Sequence, residues 1–254
     1  MRFEQKYSNS AGNLYVVTAS NGKRLLLECG VPWKKVQKAL GYDLSGIAAC
    51  LLTHCHGDHA KSVKDVMRAG IDVYMSEGTH TALGLTKVRR AIVCKHFTPF
   101  HIGKDFGVYP FNVNHDAPET FGFLISAEAK HTMFGGETML FAPDTSHINQ
   151  RFKTAFSIIA IECSFDKDIL TRRVEDGSCD ETLAKRLLTS HMEKSVTMRY
   201  LAEFCDLSKC RQLHLLHLSQ DNIDRETVRA EFQEKFQIET FIAGAATECP
   251  NTTE

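Results

Sequence analysis

His54, His56, Asp58 and His59 put three imidazoles and a carboxylate within six residues, in the stretch Thr53-His54-Cys55-His56-Gly57-Asp58-His59. Neutral imidazole and carboxylate are ligands for Zn2+ and similar first-row ions. Taken singly, Asp58 reads as a helix N-cap and any one histidine as a surface residue. Taken together and in this order, they read as one half of a metal centre.

The flanking elements are what would make the four converge. The apolar run Ile47-Ala48-Ala49-Cys50-Leu51-Leu52 has the length and composition of a buried strand. On an extended backbone His54 and His56 point the same way, because side chains repeat every second residue. Gly57 lets the chain turn, and Asp58-His59 open a predicted helix over residues 59–69 closed by Gly70. Upstream, residues 13–19 and 24–28 read as strands of a hairpin around Asn21-Gly22. Trp33, Val36 and Leu40 mark a short amphipathic helix. A strand at 72–75 and a helix around 79–85 follow.

Strands are expected again at 107–114, 120–127, 138–142, 156–162 and 213–216, with a polar turn at Gly135-Gly136. Several end on chemistry-bearing residues: His115-Asp116, Pro143-Asp144-Thr145 and His217-Leu218-Ser219. Helices are expected at about 180–189 and 193–204, with His191 between them, and from Asp224 with Val228, Phe232 and Phe236 on one face. The two groups of strands, each followed by helices, have no linker between them. Residues 1–244 are therefore expected to form one domain, and 245–254 a disordered tail.

The chain has 254 residues, 43% of them hydrophobic and 24% charged, enough for a substantial core. No apolar run approaches membrane-spanning length, and Met1–Lys6 has no signal-peptide core. The nine cysteines, an odd number without a C-x-x-C, suggest reduced thiols in a cytoplasmic protein. A net charge of −1 gives no overall basic footprint, so a nucleic acid would need a local patch; Lys87, Arg89, Arg90 and Lys95 offer one, or simply a solvated surface.

The H-x-H-x-D-H pattern resembles the signature of the metallo-β-lactamase superfamily. The resemblance extends from about residue 4 to residue 244 and implies an α/β fold, a four-layer αββα sandwich. It also implies two divalent ions, Zn2+ or Mn2+: His54, His56 and His115 on the first, Asp58, His59 and His217 on the second, and Asp144 bridging them. Glu28-Cys29-Gly30 stands where the superfamily usually has Asp-x-Gly. Such an ion pair lowers the pKa of a bridging water and neutralises charge on attacking and leaving oxygens, which is hydrolytic chemistry. The ligand set is equally that of thioesterases, and a metal-stabilised binding module would share it without turnover.

Three flanking stretches choose a branch: His115-Asp116-Ala117-Pro118-Glu119-Thr120-Phe121-Gly122-Phe123, Glu162-Cys163-Ser164-Phe165-Asp166 and His217-Leu218-Ser219-Gln220-Asp221-Asn222. With the Gly12-Asn13 opening, they resemble the YycJ/WalJ-type proteins, related to the RNase Z and RNase J nucleases. This implies a phosphodiesterase, first of all a DNA exonuclease acting in a bacterial or phage-infected cytoplasm. The alternative is a cyclic mononucleotide phosphodiesterase of the phage anti-Pycsar type; a thioesterase or lactonase ranks below both. Asp58 and His191 are the expected catalytic residues, His191 as a proton donor or phosphate contact, with a helix-capping histidine as the plain alternative. Ser219 and Asn222 would contact substrate or, more simply, cap the following helix. The expected partners are a nucleic acid or nucleotide and a second copy of the chain, with no membrane.

Overall fold

A computed structural model describes residues 1–127 and 136–243. The expected turn residue Gly135 and the expected tail lie outside the described residues.

One sheet consists of β1 (Arg2–Tyr7), β2 (Leu14–Thr18), β3 (Arg24–Leu27), β4 (Ile47–Leu51), β5 (Val73–Met75) and β6 (Ala91–Val93), in that spatial order. The other holds β7 (Phe100–Ile102), β8 (Phe106–Asn112), β9 (Phe121–Ala127), β10 (Thr138–Ala142), β11 (Ile158–Glu162), β12 (Gln212–Leu216) and β13 (Glu239–Ile242), again in order.

Period-two alternation makes each strand face two layers at once. Tyr15, Val17, Leu25, Leu27, Ala49 and Leu51 point from the first sheet to meet Val108, Phe123, Met139, Phe141, Ile158 and Ala160 of the second. The alternate residues Leu14, Val16, Leu26, Cys50 and Leu52 pack outward against α1 (Trp33–Ala39), α2 (Gly57–Ala60) and α3 (Val63–Arg68). A short α4 (Glu77–Ala82) follows β5, and α5 (Lys167–Glu175) follows β11. The outward residues of the second sheet, among them Leu140, Ile159, Ile161 and Leu215, pack against Tyr200 and Leu201 of α7 (Lys194–Phe204) and Val228 and Phe232 of α8 (Arg225–Phe236). Between α5 and α7 runs α6 (Glu181–Ser190), capped at its start by the Asp180 carboxylate. The result is the αββα sandwich.

Several elements differ from expectation. The helix expected over 59–69 is two helices, because Ser62 breaks it. Its N–H donates to the Cys29 carbonyl and its hydroxyl to the Val31 carbonyl at 2.6 Å, tying this turn to the loop after β3. Strands β1, β6, β7 and β13 and helix α5 were not legible. Of the three-residue strands only β5 is legible, and β13, not β12, ends the second sheet. Helix α8 is capped by Asp224, which accepts from Thr227 N–H, and not by Ser219 or Asn222.

Candidate metal centre

β10, β11 and β12 are mutually parallel, and β8 runs the same way because two antiparallel pairings separate it from β10. Their carboxyl ends therefore open at one edge of the sandwich, where α/β sheets place their sites. β8 leads to His115, β10 to Asp144, β11 ends on Glu162 and β12 leads to His217. β4 brings His54 to the same edge, and the Phe121 N–H to Thr53 carbonyl bond at 3.0 Å joins the two sheets there.

All seven residues expected as metal ligands gather at this edge. His54 Nε2 lies 3.1 Å from His56 Nδ1, and His115 Nε2 lies 3.3 Å from the same atom. Bonds of about 2.05 Å from a tetrahedral Zn2+ separate its nitrogen ligands by about 3.3 Å, so this trio has the spacing of a metal triad. On the other side, Asp144 Oδ2 is 3.3 Å from His59 Nε2, and Asp58, Asp144 and His217 form a second cluster. Asp144 belongs to groups on both sides. Its Oδ1 is buried without a hydrogen-bond partner, an uncompensated acceptor that a cation would satisfy. The donor set fits divalent metal.

Two of the remaining ring nitrogens are hydrogen-bonded, which fixes the orientation of those rings. His54 Nδ1 lies 2.9 Å from Thr53 Oγ1, and His115 Nδ1 lies 2.9 Å from the Ser190 carbonyl at the end of α6. His59 Nδ1 lies 3.4 Å from Glu28 Oε2, in ion-pairing range but without a hydrogen bond. Glu28 also accepts from the Thr53 N–H at 3.2 Å, so it braces the motif from beneath. Gly30 explains the glycine of Glu28-Cys29-Gly30. A Cβ there would stand 1.5 Å from the Asp58 carbonyl oxygen. Asp58 itself does not cap α2, whose N-cap residue is His56.

The electrostatics suit a bound cation. Burial holds His54 well below the usual histidine pKa. Burial also disfavours charge on His59, yet Asp144 and Glu28 outweigh it and hold His59 well above the usual value. Burial would raise the Asp144 carboxyl, but His217 and His59 hold it well below the carboxylate range. These buried carboxylates recruit positive charge from whatever is nearest.

His191 is the C-cap residue of α6 through its backbone, while its side chain faces the centre. Nδ1 sits 2.6 Å from Glu162 Oε1, the same oxygen that lies 3.2 Å from His217 Nδ1. Glu162 is fully buried and also accepts from the backbone N–H groups of Thr145 at 2.5 Å and Met192 at 3.3 Å. Burial opposes charging of His191, but the Glu162 carboxylate prevails and lifts it to about 9. The sequence marks Glu162 only as part of the Glu162–Asp166 motif, and its local signal is a lone charge closing the apolar run Ile158–Ile161. Asn13, whose Nδ2 lies 3.0 Å from His59 Nε2, likewise stands in the sequence only within the Gly12-Asn13 opening.

Above the centre lies a cleft of about 500 Å3, lined by residues including Asp58, His191, Ser219 and Asn222. The Asn222 amide is occupied, since Oδ1 accepts from Arg173 at 3.1 Å and Nδ2 donates to Ser219 Oγ at 3.2 Å. The expected basic patch stays on the surface, with Arg90 paired to Asp72 at 2.7 Å. No helix is long and apolar enough to cross a membrane among the described residues.

The chain is 24% identical to exodeoxyribonuclease YycJ of Bacillus anthracis over 99% of its own length and 95% of that protein's. It is 38% identical to the anti-Pycsar protein Apyc1 of Bacillus phage 010DV004, over 25% of this chain and 24% of that one. Its fold matches the crystal structure of the metallo-β-lactamase fold protein YhfI from Bacillus subtilis with a TM-score of 0.70 at 20% identity, covering 95% of each chain. Residues 23–217 match the β-lactamase superfamily domain. With the ligand constellation at the strand ends, the chain belongs to the β-lactamase superfamily and is a metal-dependent hydrolase.

Proposed function

We propose that this hydrolase is a phosphodiesterase, cutting DNA from an end. The observation that carries the reading is the His191–Glu162 pair at 2.6 Å beside the metal ligands. A sugar alkoxide is a poor leaving group and needs a proton, whereas a thiolate leaves without one, so a protonated histidine outside the ligand set suits a phosphodiester better than a thioester. His191 would present its Nε2 proton to the leaving oxygen, while Glu162 holds the ring by Nδ1 and keeps it charged.

His54, His56 and His115 would hold one divalent ion, Asp58, His59 and His217 a second, with Asp144 shared; zinc or manganese suits these donors. When bound, the two ions supply an activated water and neutralise charge on the phosphate. As a ligand of the second ion, Asp58 would help orient the activated water. Ser219 accepts from the Asn222 N–H at 3.2 Å, and its own O–H finds no acceptor among the described residues; we assign it to a substrate phosphate, with Asn222 holding it in place. The eight described cysteines are all free thiols, which supports a cytoplasmic setting.

A second reading, a cyclic mononucleotide phosphodiesterase, is favoured by the local similarity to the phage protein and by the net charge of −1. Salt separates the two. A polymer contacting several phosphates loses affinity steeply as salt rises, and a single cyclic phosphate does not. We expect kcat/KM for 5′-phosphorylated DNA to fall steeply between low and moderate salt. Efficient turnover of 3′,5′-cyclic nucleotides with DNA uncut would overturn the first reading.

A further inference from the structure

One wall of the cleft remains without a role. Helix α6 presents Leu183, Arg186 and Leu187 to it, and their i, i+3, i+4 spacing puts them on one face. Leu183 is 49% exposed, one of few large apolar side chains so open to solvent, and it stands at the cleft mouth. Leu187 lies beneath it, nearly buried. Arg186 is oriented from one side only: its Nε donates to Asp116 Oδ2 at 3.1 Å, and its two terminal nitrogens have no protein acceptor among the described residues.

The position of Asp116 defines what those terminal nitrogens can reach. Its other oxygen, Oδ1, lies 3.1 Å from His115 Nε2, a nitrogen of the metal triad. The Arg186 guanidinium thus stands one carboxylate away from the metal site, on the wall of the same cleft. A guanidinium held by Nε offers its remaining N–H pair as a fork for phosphate oxygens.

We propose that this face of α6 is a subsite for the nucleotide next to the scissile bond, with Arg186 taking a second phosphate and Leu183 and Leu187 packing against its sugar and base. The proposal rests on the phosphodiesterase reading and deepens it: the preferred substrate carries two phosphates, which a cyclic mononucleotide does not.

The test is calorimetric binding to the metal-loaded protein of deoxyadenosine 3′,5′-bisphosphate and deoxyadenosine 5′-monophosphate, neither of which contains a diester. Wild type should prefer the bisphosphate by at least roughly tenfold, the size of a hydrogen bond to a charged group. Arg186→Gln should collapse that ratio to within about threefold, and Arg186→Lys should retain part of it. Leu183→Ala should weaken the monophosphate relative to inorganic phosphate by roughly three- to tenfold. No bisphosphate preference in wild type, or an undiminished one in Arg186→Gln, overturns the phosphate subsite; an unchanged ratio in Leu183→Ala overturns the apolar part. An Arg186-dependent preference in a protein that cuts no diester would leave the subsite standing and sink the catalytic reading instead.

Discussion

Replacing Glu162 by Gln tests the centre most directly, because it changes one charge and almost no volume. Glu162 Oε1 serves His191 at 2.6 Å and His217 at 3.2 Å, while Oε2 accepts from the Thr145 and Met192 N–H groups. A glutamine must turn its amide nitrogen toward one of these sets, and both consist of donors. Two buried donors are then left unpaired, at about 1–3 kcal/mol each, and the charge that holds His191 protonated is gone. As a positioning residue, Glu162 acts through His191. The variant should therefore lower kcat at saturating metal by roughly 10²–10³ on a nucleotide diester, and by much less on bis(p-nitrophenyl) phosphate, whose leaving group needs no proton. His191→Ala should show the same leaving-group dependence, and the double variant should be no worse than the poorer single. Weaker binding of metal, about 10- to 100-fold through His217, is separated by titrating the ion. Equal losses on activated and unactivated esters, or additive effects of the two substitutions, would refute the proton-donor argument.

Protein purified without chelator should carry about two divalent ions by elemental analysis, and Asp144→Ala should abolish turnover while losing only part of the metal. Full activity in that variant would remove Asp144 from between the two ions. Gly30→Ala should displace the Asp58–His59 backbone, since its Cβ would meet the Asp58 carbonyl at 1.5 Å; metal content falls even where the protein stays folded. His214, buried between Phe3 and Phe241, is pushed down to about 3 by burial. Its folded pKa lies below the unfolded value near 6.5, so stability is intact above pH 6.5 and falls as the unfolded chain takes up a proton, by roughly 2 kcal/mol at pH 5. Urea unfolding at pH 7 and pH 5 should show His214→Phe to be the less acid-sensitive protein, and equal losses in both would remove His214 from the account.

Residue types and spacing alone pointed to a metal centre and to most of the strands that lead to it. His54, His56, Asp58 and His59 lie close together in the chain, and a single strand–turn–helix transition fixes their relative directions locally. The apolar runs of β2, β10 and β11 likewise marked two groups of strands, because strand pattern is a short-range property; their packing as a sandwich was implied only by the family resemblance. The support of the site was another matter. Glu162 reaches His191 and His217 across 29 and 55 residues of chain, and Glu28 reaches His59 across 31. Nothing local marks those pairs; they exist only where the fold brings strand ends, the α2 turn and the end of α6 together. Arg186 is a surface arginine on an amphipathic helix until the fold sets it beside Asp116, 70 residues away. The break at Ser62 came from a tertiary bond to the loop after β3, which overrode a sequence that could have continued as helix. Ligand identity is written in residue type and spacing, whereas ring orientation, charge state and the walls of the cleft depend on long-range contacts that only the packed sheets create.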